Sequence, residues 1–369
     1  MGGWGEMDEN NRIRLLLLLH LPPPKHGVSI INSYAENILG SSNKFVIATI
    51  PIRPSKNITN LNGIGILKFV YSIKLLFTLV LKIIEFKPQR FYFTPTPKSP
   101  VFFRDLIFIT IAKLSGAKLF LHFHRQGLND IINKCFFVKN LIGIVLNNCT
   151  LIHLTPYLVE KEFTETKLDQ KACTRFIPNP LISSPIFLGN IKKRTSQILF
   201  FSNIIHEKGV LELVNCLPLV ISNKPEVRLV ISGAIVSNSY YQSIINRIVE
   251  LNISGYVVIV PNPGNEEKVK LFNESEIFVL PSNEDCFPLV INEALSYNLP
   301  VITTNVGGLY TVFDEGKNYI HFTNNDPLSL SGCICQTLEK ENTNLEFNDL
   351  LGTFNNTFKE RLINVLSSE

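Results

Sequence analysis

The chain of 369 residues lacks several features that would assign it to a special class of protein. Charged residues make up only 18% of it, and they form no long block of one sign and no low-complexity tract. Such blocks are typical of disordered tails and of nucleic-acid-binding segments, and no nucleic-acid-binding motif is evident either. With 45% hydrophobic residues, the sequence predicts a globular protein throughout, with no nucleic-acid partner.

Signals for zinc, divalent metal and secretion are also missing. The seven cysteines do not have the paired C-x-x-C spacing of a zinc site, and no D-x-D metal motif occurs. We therefore expect reduced cysteines and no metal cofactor. The apolar run Leu15–Leu19 is short, follows Asp8 and Glu9, and ends at three prolines. These features favour a buried first strand over a signal peptide.

The segment Ile64–Phe86 is the one stretch that raises the question of a membrane. Charged residues interrupt it, so we do not expect it to span a bilayer. At about 100° per residue, these charges fall on one arc of a helical wheel and predict an amphipathic helix; they are Lys68, Lys74, Lys82 and Glu85. We expect a helix packed on a sheet rather than one resting on lipid headgroups, and a peripheral contact with an anionic membrane stays open.

Short apolar runs alternate with longer helical patterns, which is typical of βαβ units and a parallel sheet. The first series predicts strands at 14–20, 44–50, 90–94, 118–124 and 151–155, and a helix at 100–114. The second series follows the proline-rich joint Ile177–Pro180 and predicts strands at 197–202, 227–232, 256–260, 277–280 and 300–303. The sequence therefore predicts an α/β protein with two parallel-sheet domains facing across a cleft, where the strands' carboxyl ends bind ligands.

The most informative segment is 280–300, in which a predicted strand ends, a loop carries Glu284 and Asp285, and a helix is predicted to begin near Phe287-Pro288. Backbone N–H groups at a helix start lack internal partners and attract the charge of a diphosphate. Glu293, inside that helix, is placed to accept hydrogen bonds from ribose hydroxyls. Acidic residues near helix starts are also common as simple caps, so that alternative stays open.

The loop after strand 197–202 is a second candidate. Ser202 and Asn203 open it, and Lys208-Gly209 stands before a predicted helix. A lysine there can direct its ammonium group at diphosphate oxygens, while Gly209 permits a close backbone approach. A lone Lys-Gly pair is common on protein surfaces, but its place in the second sheet favours a role in binding.

In the first predicted domain, Gly27 follows the first strand and precedes a helix, where it would let the backbone approach a ligand. Strand alternation places His122 and His124 on one face at the end of the fourth strand. Two histidines can bind a metal, but no third ligand at suitable spacing is evident, so a metal site is not favoured. Gly307-Gly308 predicts either a tight turn or a second close approach to a ligand.

These segments resemble glycosyltransferase family 4, the retaining enzymes with the GT-B fold, over nearly the whole chain. The family's acidic signature, two carboxylates around an F-P/G-L-V segment, matches Asp285–Glu293, with Asp in place of the usual first Glu. Its diphosphate-gripping loop resembles Ser202–Gly209, with Ser202 at the usual Gly and no Arg. Its glycine-containing first loop resembles His26-Gly27-Val28, and its cleft histidine is most like His124.

The resemblance implies transfer of a sugar from a UDP-, GDP- or other nucleotide-sugar to an acceptor hydroxyl with retained anomeric configuration. Residues 1–180 would form an acceptor-side Rossmann-like domain, 188–350 the donor domain, and helix 354–369 would pack back on the first. The implied catalytic residues are His124, Asp285 and Lys208. The implied donor-binding residues are Gly27, Ser202, Asn203, Lys208, Gly209, Phe287, Pro288, Leu289, Val290 and Glu293.

The implied setting is the synthesis of polysaccharides or lipid-linked glycans in the cytoplasm, at the inner face of the cell membrane. The substitutions at Ser202, Asn203 and Asp285 leave other functions open. They are a catalytically weakened partner subunit that binds nucleotide-sugar, a membrane-docked scaffold, and an epimerase or phosphorylase of the same fold.

Overall fold

A computed structural model of the chain describes residues 12–53, 66–133, 136–163, 173–181, 194–313, 320–340 and 347–368. The chain divides into two compact units: unit 1 is Met1–Pro180 with Asn356–Glu369, and unit 2 is Leu181–Asn355. Each unit contains one six-stranded sheet whose strand pairs are all parallel. The predicted α/β class with two parallel-sheet domains is confirmed.

The sheet of unit 1 has the strand order β2-β1-β3-β4-β5-β6. Its strands are β1 (Ile13–His20), β2 (Phe45–Ile52), β3 (Arg90–Phe93), β4 (Lys118–Phe123), β5 (Thr150–His153) and β6 (Cys173–Phe176). Its helices include α1 (Gly27–Gly40), α2 (Ile66–Phe86), α3 (Val101–Leu114), α4 (Leu128–Ile132), α5 (Phe136–Leu146) and α6 (Pro156–Phe163). Leu15–Leu19 is fully buried in β1, between β2 and β3, which confirms the buried first strand.

The sheet of unit 2 has the strand order β12-β11-β10-β7-β8-β9. Its strands are β7 (Gln197–Phe201), β8 (Arg228–Gly233), β9 (Val257–Pro261), β10 (Ile277–Leu280), β11 (Val301–Thr303) and β12 (Ile320–Phe322). Its helices are α7 (Val210–Asn223), α8 (Asn238–Glu250), α9 (Asn265–Glu274), α10 (Leu289–Ser296) and α11 (Pro327–Glu339). Because β7 and β10 are neighbours, the loops that follow them start side by side.

The last helix, α12 (Phe347–Ser367), joins unit 1 through its C-terminal part. The ring of Phe358 lies 5.9 Å from that of Tyr34 on α1, and Leu362 and Leu366 are fully buried. The guanidinium group of Arg90 on β3 donates to the carbonyl oxygen of Leu366. Apolar burial and this hydrogen bond hold the end of the chain on the sheet of unit 1.

Two short strands and one helix boundary differ from the sequence prediction. The edge strands β6 and β12 were not predicted, because runs of four and three residues carry too little alternation to identify. Helix α10 begins at Leu289, so Pro288 is its N-cap with an extended ψ of 109° rather than a residue of its first turn. The helix therefore begins one to two residues later than the expected start near Phe287-Pro288.

Helix α2 packs on the sheet, but its apolar residues form two arcs rather than one. Leu75 and Leu79 are buried in the core of unit 1. A second arc points away from the core, and Phe77 at its centre is 65% exposed. The helix thus packs on the sheet as expected, but it also has a second apolar face that is exposed. Among the described residues, no helix is long and apolar enough to cross a membrane.

The two arcs predict opposite responses to truncation. We expect Leu79→Ala to lower the stability of unit 1 by about 2–5 kcal/mol, since it leaves a cavity in a packed core. Phe77→Ala on the outer arc should change it by less than about 0.5 kcal/mol. Urea titration of both variants, followed by circular dichroism, measures the difference. Equal losses would show that the assignment of the two arcs is wrong.

Candidate functional site

The predicted site residues form two groups, one in each unit. In unit 2 they lie at the carboxyl ends of the neighbouring strands β7 and β10 and in helix α10. In unit 1, Gly27 follows β1 and His124 follows β4. In open parallel sheets this edge is where ligands bind, because helix starts and loop amides converge there.

Backbone hydrogen bonds join the two loops of unit 2. The carbonyl oxygen of Glu207 accepts hydrogen bonds from the backbone N–H groups of Asn283 and Glu284, at 2.9 and 3.1 Å. The side-chain amide of Asn283 also donates to Glu212 Oε1 at 2.7 Å. The loop after β7 is therefore fixed against the loop after β10, and residues next to these contacts have defined positions.

Two glycines are required by this packing of backbone on backbone. Gly209 has a φ of +72°, and a Cβ there would lie 1.8 Å from the carbonyl oxygen of Pro281. Gly307 has a φ of +62°, and a Cβ there would lie 2.0 Å from the carbonyl oxygen of Cys286. No side chain fits either position. The backbone of Gly307 thus approaches the loop that carries Asp285 and Cys286, and this contact explains the glycine without a ligand.

The fixed loops bring Lys208 and Asp285 together as an ion pair between Nζ and Oδ2. Both side chains are largely withdrawn from water, with 17% and 15% of their surfaces exposed. The other oxygen of Asp285 accepts a hydrogen bond from the N–H of Cys286 at 2.8 Å. Two residues from separate sequence motifs are therefore in direct contact. Glu284, next to Asp285, is exposed.

Glu293 has a lysine partner that the sequence analysis missed. Lys268 Nζ on α9 lies 2.7 Å from Glu293 Oε1, and it lies 5.4 Å from the ring centroid of Phe201 at the end of β7. Glu293 is therefore near the end of the strand that leads into Ser202. No motif identifies Lys268, and only its place in the helix after β9 could have drawn attention to it.

The start of α10 offers backbone donors. No side chain caps this helix. The N–H groups of an uncapped first turn and the positive end of the helix dipole attract an anion. Phe287 and Pro288 are buried, with the Phe287 ring 6.0 Å from that of Phe313, so their side chains serve packing. Leu289 and Val290 are half-buried in the first turn itself.

Ser202 and Asn203 continue the edge of the sheet. The N–H of Ser202 donates to the carbonyl oxygen of Ser232 at 3.1 Å, which extends the pairing of β7 with β8. Gly233 has a φ of +144° and approaches the backbone of Ser202 so closely that a Cβ would lie 1.7 Å from its oxygen. The backbone of Ser202 is therefore fixed, while the side chain of Asn203 is exposed.

In unit 1, His124 lies in a buried cluster of polar side chains. Its Nδ1 is 3.2 Å from Asn179 Oδ1, and its ring centroid is 4.1 Å from that of His122. His122 Nδ1 in turn lies 2.7 Å from the hydroxyl of Tyr92. Within the described part of the chain, His124 Nε2 has no hydrogen-bond partner. The alternation argument for His122 and His124 agrees with this geometry.

Burial keeps these imidazoles neutral at pH 7. Desolvation lowers the pKa of His124 to about 4, although its contact with Asn179 acts in the opposite direction. Burial also lowers the pKa of His153 to about 3 and that of His122 well below its usual value. His124 can therefore donate or accept a hydrogen bond, but it carries no positive charge at pH 7.

Gly27 is the first residue of α1 and is exposed. His26 caps that helix, because its Nδ1 accepts from the N–H of Ser29 at 3.3 Å while its own N–H donates to Ser29 Oγ at 2.9 Å. The charge of Arg125, which follows His124, contributes to lowering the pKa of His26 after the larger effect of burial. The first loop and the His124 segment thus lie near each other.

The described residues contain no group of three or more histidine, cysteine, aspartate or glutamate side chains that could hold a metal ion.

Comparison with known proteins finds a family similar to the second part of this chain. The family described as "Glycosyl transferases group 1" matches residues 187–349. An uncharacterized glycosyltransferase of Methanocaldococcus jannaschii is 25% identical over 141 residues, which is 38% of this chain and 35% of that protein. The capsular polysaccharide biosynthesis glycosyltransferase CapM of Staphylococcus aureus is 24% identical over 124 residues, 32% of this chain and 30% of CapM. The matched segments thus span about a third of these relatives.

Solved structures match over almost the whole chain. HepE of Anabaena, in complex with UDP, superposes with a TM-score of 0.68 at 15% identity, covering 97% of this chain and 100% of HepE. Sucrose-phosphate synthase of Thermosynechococcus elongatus gives a TM-score of 0.63 at 16% identity, covering 96% and 95%. These likenesses show that the chain has the GT-B fold with its two Rossmann-like units.

The cluster around His124 predicts one tautomer. An amide oxygen only accepts, so Asn179 Oδ1 places the proton of His124 on Nδ1. We expect nitrogen NMR to show a neutral Nδ1–H imidazole that protonates only as the pH falls toward about 4. Asn179→Ala should mix the tautomers and lower this pKa further, because the lost contact raises it.

His153 is the internal control for this experiment, because burial, and not a contact with Asn179, lowers its pKa, which should therefore not change in Asn179→Ala. A His124 that titrates near its ordinary pKa of about 6.5, or that carries its proton on Nε2, would contradict the assigned tautomer.

Proposed function

Because residues 187–349 belong to the glycosyl transferases group 1 family, we propose that the chain is a retaining glycosyltransferase that moves a sugar from a nucleotide-diphosphate donor to an acceptor hydroxyl. The observation that carries the proposal is the position of Lys208 beside Asp285, where the loops after β7 and β10 are joined and α10 starts uncapped. A cation, a carboxylate and helix-start amides are the groups that a sugar diphosphate needs.

The proposed reaction breaks the bond between the anomeric carbon and the diphosphate, so negative charge grows on the leaving group. Lys208 and the amides at the start of α10 stabilise that charge, and they do so from fixed positions. Asp285 then accepts hydrogen bonds from the hydroxyls of the donor sugar. Before the donor binds, Lys208 and Asp285 are paired with each other. When it binds, the diphosphate replaces Asp285 as the partner of the ammonium group, and sugar hydroxyls replace Lys208 as the partners of the carboxylate.

Glu293 holds the ribose of the donor nucleotide in this proposal. A carboxylate can accept hydrogen bonds from two ribose hydroxyls at once. Its present partner Lys268 can keep its contact with one carboxylate oxygen or move toward the solvent. The UDP bound to HepE supports a uridine nucleotide as the first donor to test. Ser202, Asn203 and Gly209 provide the backbone and polar edge along which the diphosphate lies.

Unit 1 contributes Gly27 and His124 in the proposal. A neutral His124 whose proton is held on Nδ1 presents an acceptor at Nε2, which suits a sugar hydroxyl. The acceptor substrate is a glycan or a lipid-linked glycan, in polysaccharide assembly at the cytoplasmic face of the cell membrane. The name of the relative CapM, a capsular polysaccharide biosynthesis enzyme, supports that class.

The first test is Lys208→Ala. Loss of a charge-assisted contact to phosphate should weaken UDP binding and turnover by at least about tenfold each. Calorimetry with UDP and a donor-hydrolysis assay with UDP-sugars measure the two effects. Lys270→Ala is the matched control, because Lys270 is an exposed lysine on α9 that lies 3.8 Å from Glu274, away from the proposed diphosphate position.

Unchanged binding and turnover in Lys208→Ala would remove that lysine from the site. UDP binding without any turnover in the wild-type chain would instead favour the weakened partner subunit that Ser202, Asn203 and Asp285 leave open.

The second test separates Glu293 from its ion pair. Glu293→Ala should raise the UDP dissociation constant by at least about tenfold, because hydrogen bonds from ribose to a charged acceptor are lost. Lys268→Ala breaks the same ion pair but leaves the carboxylate in place. We therefore expect it to bind UDP within about threefold of the wild type, because the carboxylate that accepts the ribose hydroxyls is still present.

Equal weakening in both variants would show that the ion pair, and not the carboxylate, matters for binding. Circular dichroism checks that both variants are folded.

A further inference from the structure

Helix α2 of unit 1 exposes a continuous apolar arc. Residues spaced by four and seven positions fall on one side of a helix, and here that side faces away from the core. The arc consists of Phe69, Val70, Ile73, Phe77, Leu81 and Ile84, whose side chains are 40–65% exposed. Water-exposed phenylalanine and leucine in such a row are costly for a protein surface, so the arc needs an explanation.

The same side of the sheet continues the apolar surface. Right-handed crossovers place the helices that follow β2, β3 and β4 on one face, and α3 packs beside both α2 and α5. Exposed on α3 and α5 are Phe103, Ile107, Leu114, Phe137, Leu141 and Ile144. Together the three helices carry twelve of the twenty-one exposed large hydrophobic side chains in the described part of the chain.

Charge is concentrated on the same helices. By sequence, α2, α3 and α5 carry six lysine or arginine residues and two acidic residues, so their net charge equals the +4 of the whole chain. Of the two acids, Asp105 is fully buried and bonded to Arg104, and Glu85 pairs with Lys82 at 3.0 Å. Lys74 is exposed and borders the apolar arc. The apolar surface therefore lies on helices of net positive charge, with Lys74 at its border.

We propose that the outer surface of α2, α3 and α5 is a docking surface for an anionic lipid bilayer. Apolar side chains enter the boundary between headgroups and acyl chains, and the lysines reach the headgroup phosphates with their long stems along the interface. This inference does not rest on the proposed transferase activity, since it concerns only unit 1.

Charge favours lipid over a second copy of the chain. A twofold dimer would bring this surface against itself, and its net positive charge would then face an equal charge. An anionic membrane instead supplies the opposite charge and attracts lysine and arginine side chains near its surface. A contact that depends on both apolar insertion and charge should be reversible and sensitive to salt.

Flotation of the full chain with vesicles tests the proposal. We compare phosphatidylcholine vesicles with vesicles that also contain about 30% phosphatidylglycerol, at low and high salt. The triple variant Phe69→Ser/Phe77→Ser/Leu81→Ser removes most of the arc, and Lys74→Glu/Lys82→Glu reverses the charge of two lysines of α2. The matched controls are Val249→Ser/Leu328→Ser, 61% and 74% exposed in the wild type, and Lys340→Glu, all in unit 2.

We expect the wild type to float with anionic vesicles only, high salt to release it, and each unit 1 variant to lower the bound fraction at least tenfold, with the controls unchanged. Wild-type protein that stays unbound at low salt, or variants that float normally, would overturn the proposal. The proposal would also be overturned if light scattering showed that the wild type is a dimer without lipid and that the triple variant is a monomer. UDP binding is measured in parallel and should not change in these variants, so failure of docking and failure of the proposed function are told apart.

Discussion

The candidate donor site depends on one carbonyl group. The oxygen of Glu207 accepts the N–H groups of Asn283 and Glu284, and this fixes the loop after β7 on the loop after β10. Gly209 makes the contact sterically feasible, because any side chain there would collide with Pro281. Lys208 and Asp285 each lie next to one of these contacts, and the fixed loops bring their side chains together as an ion pair. The close backbone contact of the two loops is thus the structural origin of the ion pair.

Pairing of both signature carboxylates with lysine has an electrostatic consequence. A carboxylate withdrawn from water without a partner would be costly, and so would an ammonium group. Each pair removes that cost while no ligand is bound, and each leaves strong donors and acceptors whose partners can be exchanged. In the proposed function, a sugar diphosphate offers anionic oxygens to Lys208 and hydroxyls to Asp285 and Glu293, so its binding would replace hydrogen bonds rather than create unpaired groups. Preorganisation of this kind lets the same groups act again when charge moves onto the leaving group.

The sequence predicted those parts of the fold whose signal is local. Ten strands with apolar runs between turn residues were located to within about two residues, since burial of both faces of a parallel sheet requires such runs. His122 and His124 followed from simple alternation. The short edge strands β6 and β12 were missed because three or four residues show no period. Lys268 was missed because its meeting with Glu293 depends on how α9 and α10 pack, which no spacing along the chain encodes.

Helix α2 shows the limit of a periodicity argument most clearly. A helical wheel separates charged from apolar positions, but it does not say which part of a wide apolar sector meets the sheet. In α2 the sector is wide enough for two functions: Leu75 and Leu79 fill the core, and Phe77 and its neighbours remain outside. Folding of unit 1 requires only the inner arc. The outer arc adds nothing to the core and raises the tendency to aggregate, and its place on helices of net positive charge supports the proposed docking to an anionic bilayer.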